Sequence, residues 1–161
     1  MAEFNGHLAQ ARKNIDLFKK INQMPDTYDW QVTIIFYAAL HLANAHIVKT
    51  VNLHHRSHGK TGAALNPYIT TNPSAFDEKA YLAYLGLLGL SRRARYLCSE
   101  DDGDKNDRTH HISEKHLAKA IRYLNEIIKY FSVTHEHKFD KVVIKCERIK
   151  SDKLDFFVTE A

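Results

Sequence analysis

Trp30-Gln31-Val32-Thr33-Ile34-Ile35-Phe36-Tyr37-Ala38-Ala39-Leu40-His41-Leu42-Ala43-Asn44 decides the fold. Trp30, Val32, Ile34, Ile35, Phe36, Ala38, Ala39 and Leu40 leave almost no polar face on a 3.6-residue turn, so this helix belongs at the centre, covered on several sides. The pattern predicts a helix from about Thr27 to Val51, capped by Asp26 after the break at Pro25, with Asp29 at the favourable end of the helix dipole. Tyr37, His41 and Asn44, at spacings of four and three, form a polar strip within the apolar cylinder.

On the N-terminal side, Leu8, Ala11, Ile15, Phe18 and Ile21 make one stripe of a helix from about Asn5 to Asn22. On the other side, Asn52 to Asn72 reads as a loop carrying His54-His55-Arg56-Ser57-His58 and ending in the turn pairs Asn66-Pro67 and Asn72-Pro73. Ser74-Ala75-Phe76-Asp77 has a capping-box pattern, predicting a third helix from about Ala75 to Cys98. Gly86 and Gly89 inside it weaken helix propensity and suggest that a neighbouring backbone comes close. Its end, Ser91-Arg92-Arg93-Ala94-Arg95-Tyr96, is basic, which suits the negative end of the dipole. After an acidic loop, Glu100 to Asp107, Ser113 caps a fourth helix to about Val133 with Leu117, Ala120, Ile121, Leu124, Ile128 and Phe131 buried. Val142-Val143-Ile144 and Phe156-Phe157-Val158 flank Lys150-Ser151-Asp152-Lys153, predicting a two-stranded hairpin or docked tail, or else a short fifth helix. The expectation is an all-α, up-and-down bundle of four or five helices over residues 1–134, with a basic tail or hairpin, 135–161, packed on it.

Composition narrows the function classes. Of 161 residues, 44% are hydrophobic and 26% charged, which excludes wholesale disorder, and three prolines with six glycines argue against a turn-rich sandwich or barrel. Two cysteines cannot build a disulfide framework, so a reducing, cytoplasmic setting is expected. The longest apolar run, Ala80 to Leu90, falls short of the ~20 residues of a membrane span, and the N-terminus lacks a secretory pattern, so no membrane partner is expected. The net charge is +4, and Lys115 to Lys153 carries ten Lys/Arg against five Asp/Glu. That basic third suggests an anionic partner.

Eleven histidines are the compositional outlier, grouped as His54/His55/His58, His110/His111/His116 and His135/His137. Imidazole is a common metal ligand, so a metal-dependent hydrolase is the rival reading; no His-Glu-x-x-His pair supports it, and no metal or cofactor is expected. Asp102, Asp104 and Asn106 imitate a calcium loop, but Asp107 stands where the turn needs glycine and Ser113 where a closing glutamate belongs. Cys98 follows a helix C-terminus and precedes Glu100 and Asp101, an environment that raises a thiol pKa. Gly59-Lys60-Thr61 lacks the first glycine and the strand of a phosphate loop.

The best constellation is distributed: Tyr37 and His41, then Arg56 and His58, then Arg92, Arg95 and Tyr96 on one helix face. Guanidinium forks bind phosphate bidentately, and aromatic rings stack on bases or move protons. The plainer alternative is that Tyr37 and His41 satisfy each other in the core while the arginines cap a helix.

The order of these motifs resembles the HEPN domain family. Phe36-Tyr37-Ala38-Ala39-Leu40-His41-Leu42-Ala43 is similar to the family's aromatic-small-small helix, Arg56-Ser57-His58 resembles its Thr-His loop, and Arg95-Tyr96 resembles its Arg-Tyr. The resemblance spans about Gly6 to Ser132. It implies an all-α bundle, usually a homodimer, that binds RNA or a nucleotide, with toxin or defence endoribonucleases among its members and a nucleotidyltransferase or antitoxin as partner. The family's nucleases carry an arginine and a histidine separated by four to six residues near the start of the last core helix. Here Arg108 and His116 have seven residues between them, and His110 and His111 follow Arg108 too closely. Binding is therefore the first expectation. Cleavage would require His58 or His111 as base and Arg56, Arg95 or Arg108 as the cation on the phosphate. Lys119, Arg122 and Lys129 would steer the RNA backbone. A third reading is a non-catalytic module whose tail docks a protein.

Overall fold

The computed structural model describes residues 3–96 and 111–160. In it the chain is an all-α bundle with a small sheet in its C-terminal tail. The helices are α1 (Phe4–Ile21), α2 (Tyr28–Val51), α3 (His58–Leu65), α4 (Glu78–Tyr96) and α5 (Glu114–His135). The tail holds β1 (Val142–Ile144), a 3-10 turn at Glu147–Ile149 and β2 (Phe157–Thr159).

Helix α2 is the core, packed by α1, α4 and α5. Val32, Ile35, Phe36, Ala38, Ala39, Leu42, Ala43, Ala45 and Ile47 are fully buried. Its mean hydropathy reaches 1.3 over one window, enough for a membrane span by length and composition alone; here the other helices cover most of that surface. Trp30 departs from the all-round burial that the sequence suggests: at 62% exposure it stands outside the core.

The start of α2 also differs from expectation. Asp26 has a left-handed backbone, φ 55°, and does not cap. Thr27 organises the turn instead: its hydroxyl reaches the Ile21 and Met24 carbonyls, at 3.2 and 3.1 Å, and accepts from Gln31 Nε2 at 3.0 Å. At the far end Asn52 is left-handed, φ 54°, a conformation asparagine tolerates well at a helix end.

The stretch read as one loop, Asn52 to Asn72, contains α3. Ser57 caps it, accepting from the Lys60 amide at 3.2 Å. Gly59 and Gly62 hid this helix by their poor propensity, but Thr61, Gly62 and Leu65 are buried against the bundle, and that packing outweighs propensity. The expected box at Ser74 is also displaced: Ser74 Oγ donates to the Ala64 carbonyl at 2.7 Å. Asp77 is the cap, its carboxylate accepting from the Ala80 amide at 2.7 Å, and α4 begins at Glu78 rather than near Ala75.

Gly86 makes the close approach its position suggests, though to a side chain rather than a backbone. A Cβ built there would lie 2.6 Å from the Tyr123 ring of α5. Gly86→Ala should therefore lose about 1–2 kcal/mol despite its better helix propensity, measurable by urea denaturation.

Ser113 starts α5 as expected, with the Ser113 amide donating to His116 Nδ1 at 3.1 Å. The tail is docked but is not a hairpin. β1 and β2 pair in parallel, Val142 with Phe157 and Ile144 with Thr159, which requires the intervening chain to cross back over α5. Asn22 anchors it: the side chain accepts from the Lys145 amide at 2.6 Å and donates to the Lys145 carbonyl at 2.9 Å and to Gln31 at 3.0 Å. Asn22 is buried, so Asn22→Ala strands both Lys145 groups. A loss of about 2–4 kcal/mol, with the tail becoming protease-sensitive first, is expected from limited proteolysis and denaturation.

Candidate functional site

Helix α3 points its first residue back at α2. His58 lies edge-on to Phe36, with ring centroids 5.2 Å apart, and 6.4 Å from Tyr37. From α4 the Arg95 guanidinium sits over Phe36, Cζ 5.9 Å from the ring centroid, and over Tyr96 at 5.2 Å. Phe36, wholly buried, is thus the common floor under His58 and Arg95.

Burial and then the charges of Arg95 and Arg92 hold the His58 pKa below its ordinary value. The imidazole is therefore neutral at pH 7 and able to accept a proton. Tyr84 lies one layer below, its ring 6.1 Å from Phe36. Among the described residues its buried hydroxyl has no hydrogen-bond partner, and burial raises its pKa while Arg92 opposes that shift.

So Tyr37, His58, Arg92, Arg95 and Tyr96 come to one place. Tyr96 is 67% exposed at its rim. Arg95 also donates to the Ser91 carbonyl at 3.3 Å, so it closes the helix end while facing the site. Arg56 is exposed, two residues before His58.

His41 belongs to a different set, and the mutual Tyr37–His41 pairing of the plainer alternative is not what forms. His7 Nδ1 lies 3.1 Å from His41 Nδ1, and His7 Nε2 lies 3.1 Å from His54 Nδ1. These contacts run from α1 to α2 and to the loop before α3. Burial first, then the fields of His41 and His54, pull His7 down to about 4. A second pair joins α2 to α5: His46 Nδ1 to His135 Nε2 at 3.0 Å, with His46 Nε2 3.2 Å from the Ser74 carbonyl. The carbonyl can only accept, so neutral His46 carries its proton on Nε2 and accepts from His135. His46 is likewise held at about 4, by burial and then by His135.

His7 and His46 are not among the residues that the sequence pattern singles out. His7 does carry a signal, since it lies four residues before Ala11 and so falls on the buried stripe of α1. The histidine groups do not follow their grouping in sequence: His54 turns to His7, His58 to Phe36, and His135 to His46. The metal reading asked for several donors around one point; among the described residues no three His, Cys, Asp or Glu side chains are so placed.

The remaining candidates lie elsewhere. Arg122 pairs with Asp152 at 2.6 Å and donates to the Arg148 carbonyl at 2.8 Å, and Lys129 pairs with Asp155 at 3.4 Å. Both therefore link α5 to the tail. Lys119 is exposed on α5, and exposed His111 offers its carbonyl to Arg93 at 3.4 Å. Arg108, His110, Cys98 and the acidic loop Glu100–Asp107 lie outside the described residues. No protein-family model matches the chain, and no curated protein or solved structure matches it.

Proposed function

We propose that this chain binds RNA or a nucleotide, with the phosphate held at Arg92 and Arg95 beside His58. The observation that supports it most is the placing of His58 from α3 and Arg95 from α4 over one aromatic floor, Phe36, with Arg92 near enough for its charge to act on His58. Guanidinium groups take phosphate oxygens bidentately, and Tyr37 and Tyr96 offer ring faces to a base or sugar. The order of motifs resembling HEPN domains points the same way and extends the proposal to a homodimer acting with a nucleotidyltransferase or antitoxin. Were the bound RNA cleaved, neutral His58 would take the 2′-hydroxyl proton and Arg95 would stabilise the charged phosphate.

The test is titration of fluorescently labelled RNA at several salt concentrations. Wild-type affinity should fall steeply with salt, and Arg95→Ala should weaken binding about tenfold and lower the salt slope by about one. Affinity that ignores salt, or that survives loss of both Arg92 and Arg95, would overturn the proposal.

A further inference from the structure

From Gln31 to Ala45, α2 is buried at every residue except Ile34, Tyr37 and His41. Trp30, one turn before Ile34, is 62% exposed. Residues 30, 34, 37 and 41 fall on a single line along a helix. The bundle therefore leaves its central helix open along one stripe. At one end His7 and His54 close it over His41. At the level of Tyr37 it opens onto His58, Arg92 and Arg95. At the other end it finishes on the indole of Trp30.

We propose that this stripe is a stacking platform for a single-stranded polynucleotide, which lays one unpaired base on Tyr37 and another on Trp30 while its phosphate is held at Arg92 and Arg95. The proposal rests on the phosphate site described above and extends it to a ligand class. Tyr37 and Trp30 are seven residues apart, about 10 Å of helix axis, so a base on each belongs to a separate nucleotide. A mononucleotide covers only the arginine end. A duplex hides its base faces in its own stack and offers none to the indole. Aromatic faces interleaved with cations suit a single strand, whose bases all carry a π-face and whose backbone is anionic. Among the described residues, none of the ion pairs engages Arg56, Arg92 or Arg95. Asp26 and Asp29 stand at the Trp30 end. Their charge turns phosphate away there, so that end takes a base.

Trp30 is the only tryptophan in the chain, which makes it a direct reporter. The probes are an eight-nucleotide single-stranded RNA, uridine monophosphate and an eight-base-pair RNA duplex, each titrated against tryptophan emission and, in parallel, by calorimetry. The single strand should quench Trp30 and bind more tightly than the mononucleotide, and the duplex should leave the emission unchanged. Trp30→Ala should weaken the single strand roughly tenfold without altering mononucleotide affinity, and Trp30→Phe should restore most of the loss. If Trp30→Ala leaves the single strand unaffected while Arg95→Ala weakens both ligands, the platform is wrong and the phosphate site stands. If Arg95→Ala changes neither ligand, or none of the three probes binds, the phosphate site is wrong and the platform falls with it. If Trp30 emission instead shifts with protein concentration alone and Trp30→Ala separates a dimer, the stripe is a contact between two copies and the platform is overturned.

Discussion

Lowering the pH from 6.5 towards 4 is expected to remove several kcal/mol of folding stability. His7 and His46 are 4% and 2% exposed, and both are held at about 4 in the folded chain. Unfolded histidine titrates near 6.5. Above that value both states are neutral at these groups and nothing is lost. Below it the unfolded chain takes up protons that the folded chain refuses, so stability drains away until the folded groups also titrate near 4. At about 1.4 kcal/mol per pH unit, each residue accounts for roughly 3 kcal/mol at most across that window. The neighbours His41 and His135, also lowered by burial first, add loss in the same direction. Two such groups together match a sizeable part of the 5–15 kcal/mol typical of a folded domain. Urea denaturation at pH 7.5, 6 and 5 measures the slope, and His46→Gln should flatten it. Stability that is level between pH 6.5 and 4.5 would show that these imidazoles are not shielded as the geometry requires.

Phe36→Ala should produce the second large effect, a loss of about 3–5 kcal/mol. The ring is wholly buried and lies against Tyr37, His58 and Tyr84, with Arg95 above it. Truncation leaves a cavity where four residues of the core and site converge. Phe36→Leu keeps most of the volume and should cost about 1–2 kcal/mol, yet it removes the aromatic surface on which His58 and Arg95 rest. The leucine variant should therefore fold and still bind labelled RNA more weakly than wild type. Denaturation midpoints and RNA titration on the same preparations separate the two effects. A leucine variant with full RNA affinity would mean that the floor does not position the site.

The helices were legible where burial follows one period. Leu8, Ala11, Ile15 and Phe18 of the α1 stripe are buried, with Ile21 at its end only half-buried, and the stripe Leu117, Ala120, Ile121, Leu124, Ile128 and Phe131 of α5 is buried throughout. The all-round apolar character of α2 gave its central place. What stayed hidden was decided by contacts distant in sequence. Helix α3 carries two glycines and becomes worth forming only because Thr61 and Leu65 find a buried place. The chain just after β1 is fixed by Asn22, 123 positions before Lys145. For the site, the types and order of residues singled out Tyr37, His58, Arg92, Arg95 and Tyr96, which do assemble. They could not show that His41 would turn to His7, because imidazole serves equally well as a site residue and as a core hydrogen-bonding group. Nor could they show Trp30 standing clear of the bundle, since its place in an apolar run reads as interior.

Asn22 imposes an order of events on folding. Its amide lies in the α1–α2 corner, which emerges during synthesis more than a hundred residues before Lys145. Until then that corner must remain hydrated, because sealing it early would leave the Asn22 Oδ1, which accepts from the Lys145 amide, without a partner. The finished helical body is thus a template awaiting its closing piece, and strand registration belongs to the slow end of the pathway, where contacts of long sequence separation form.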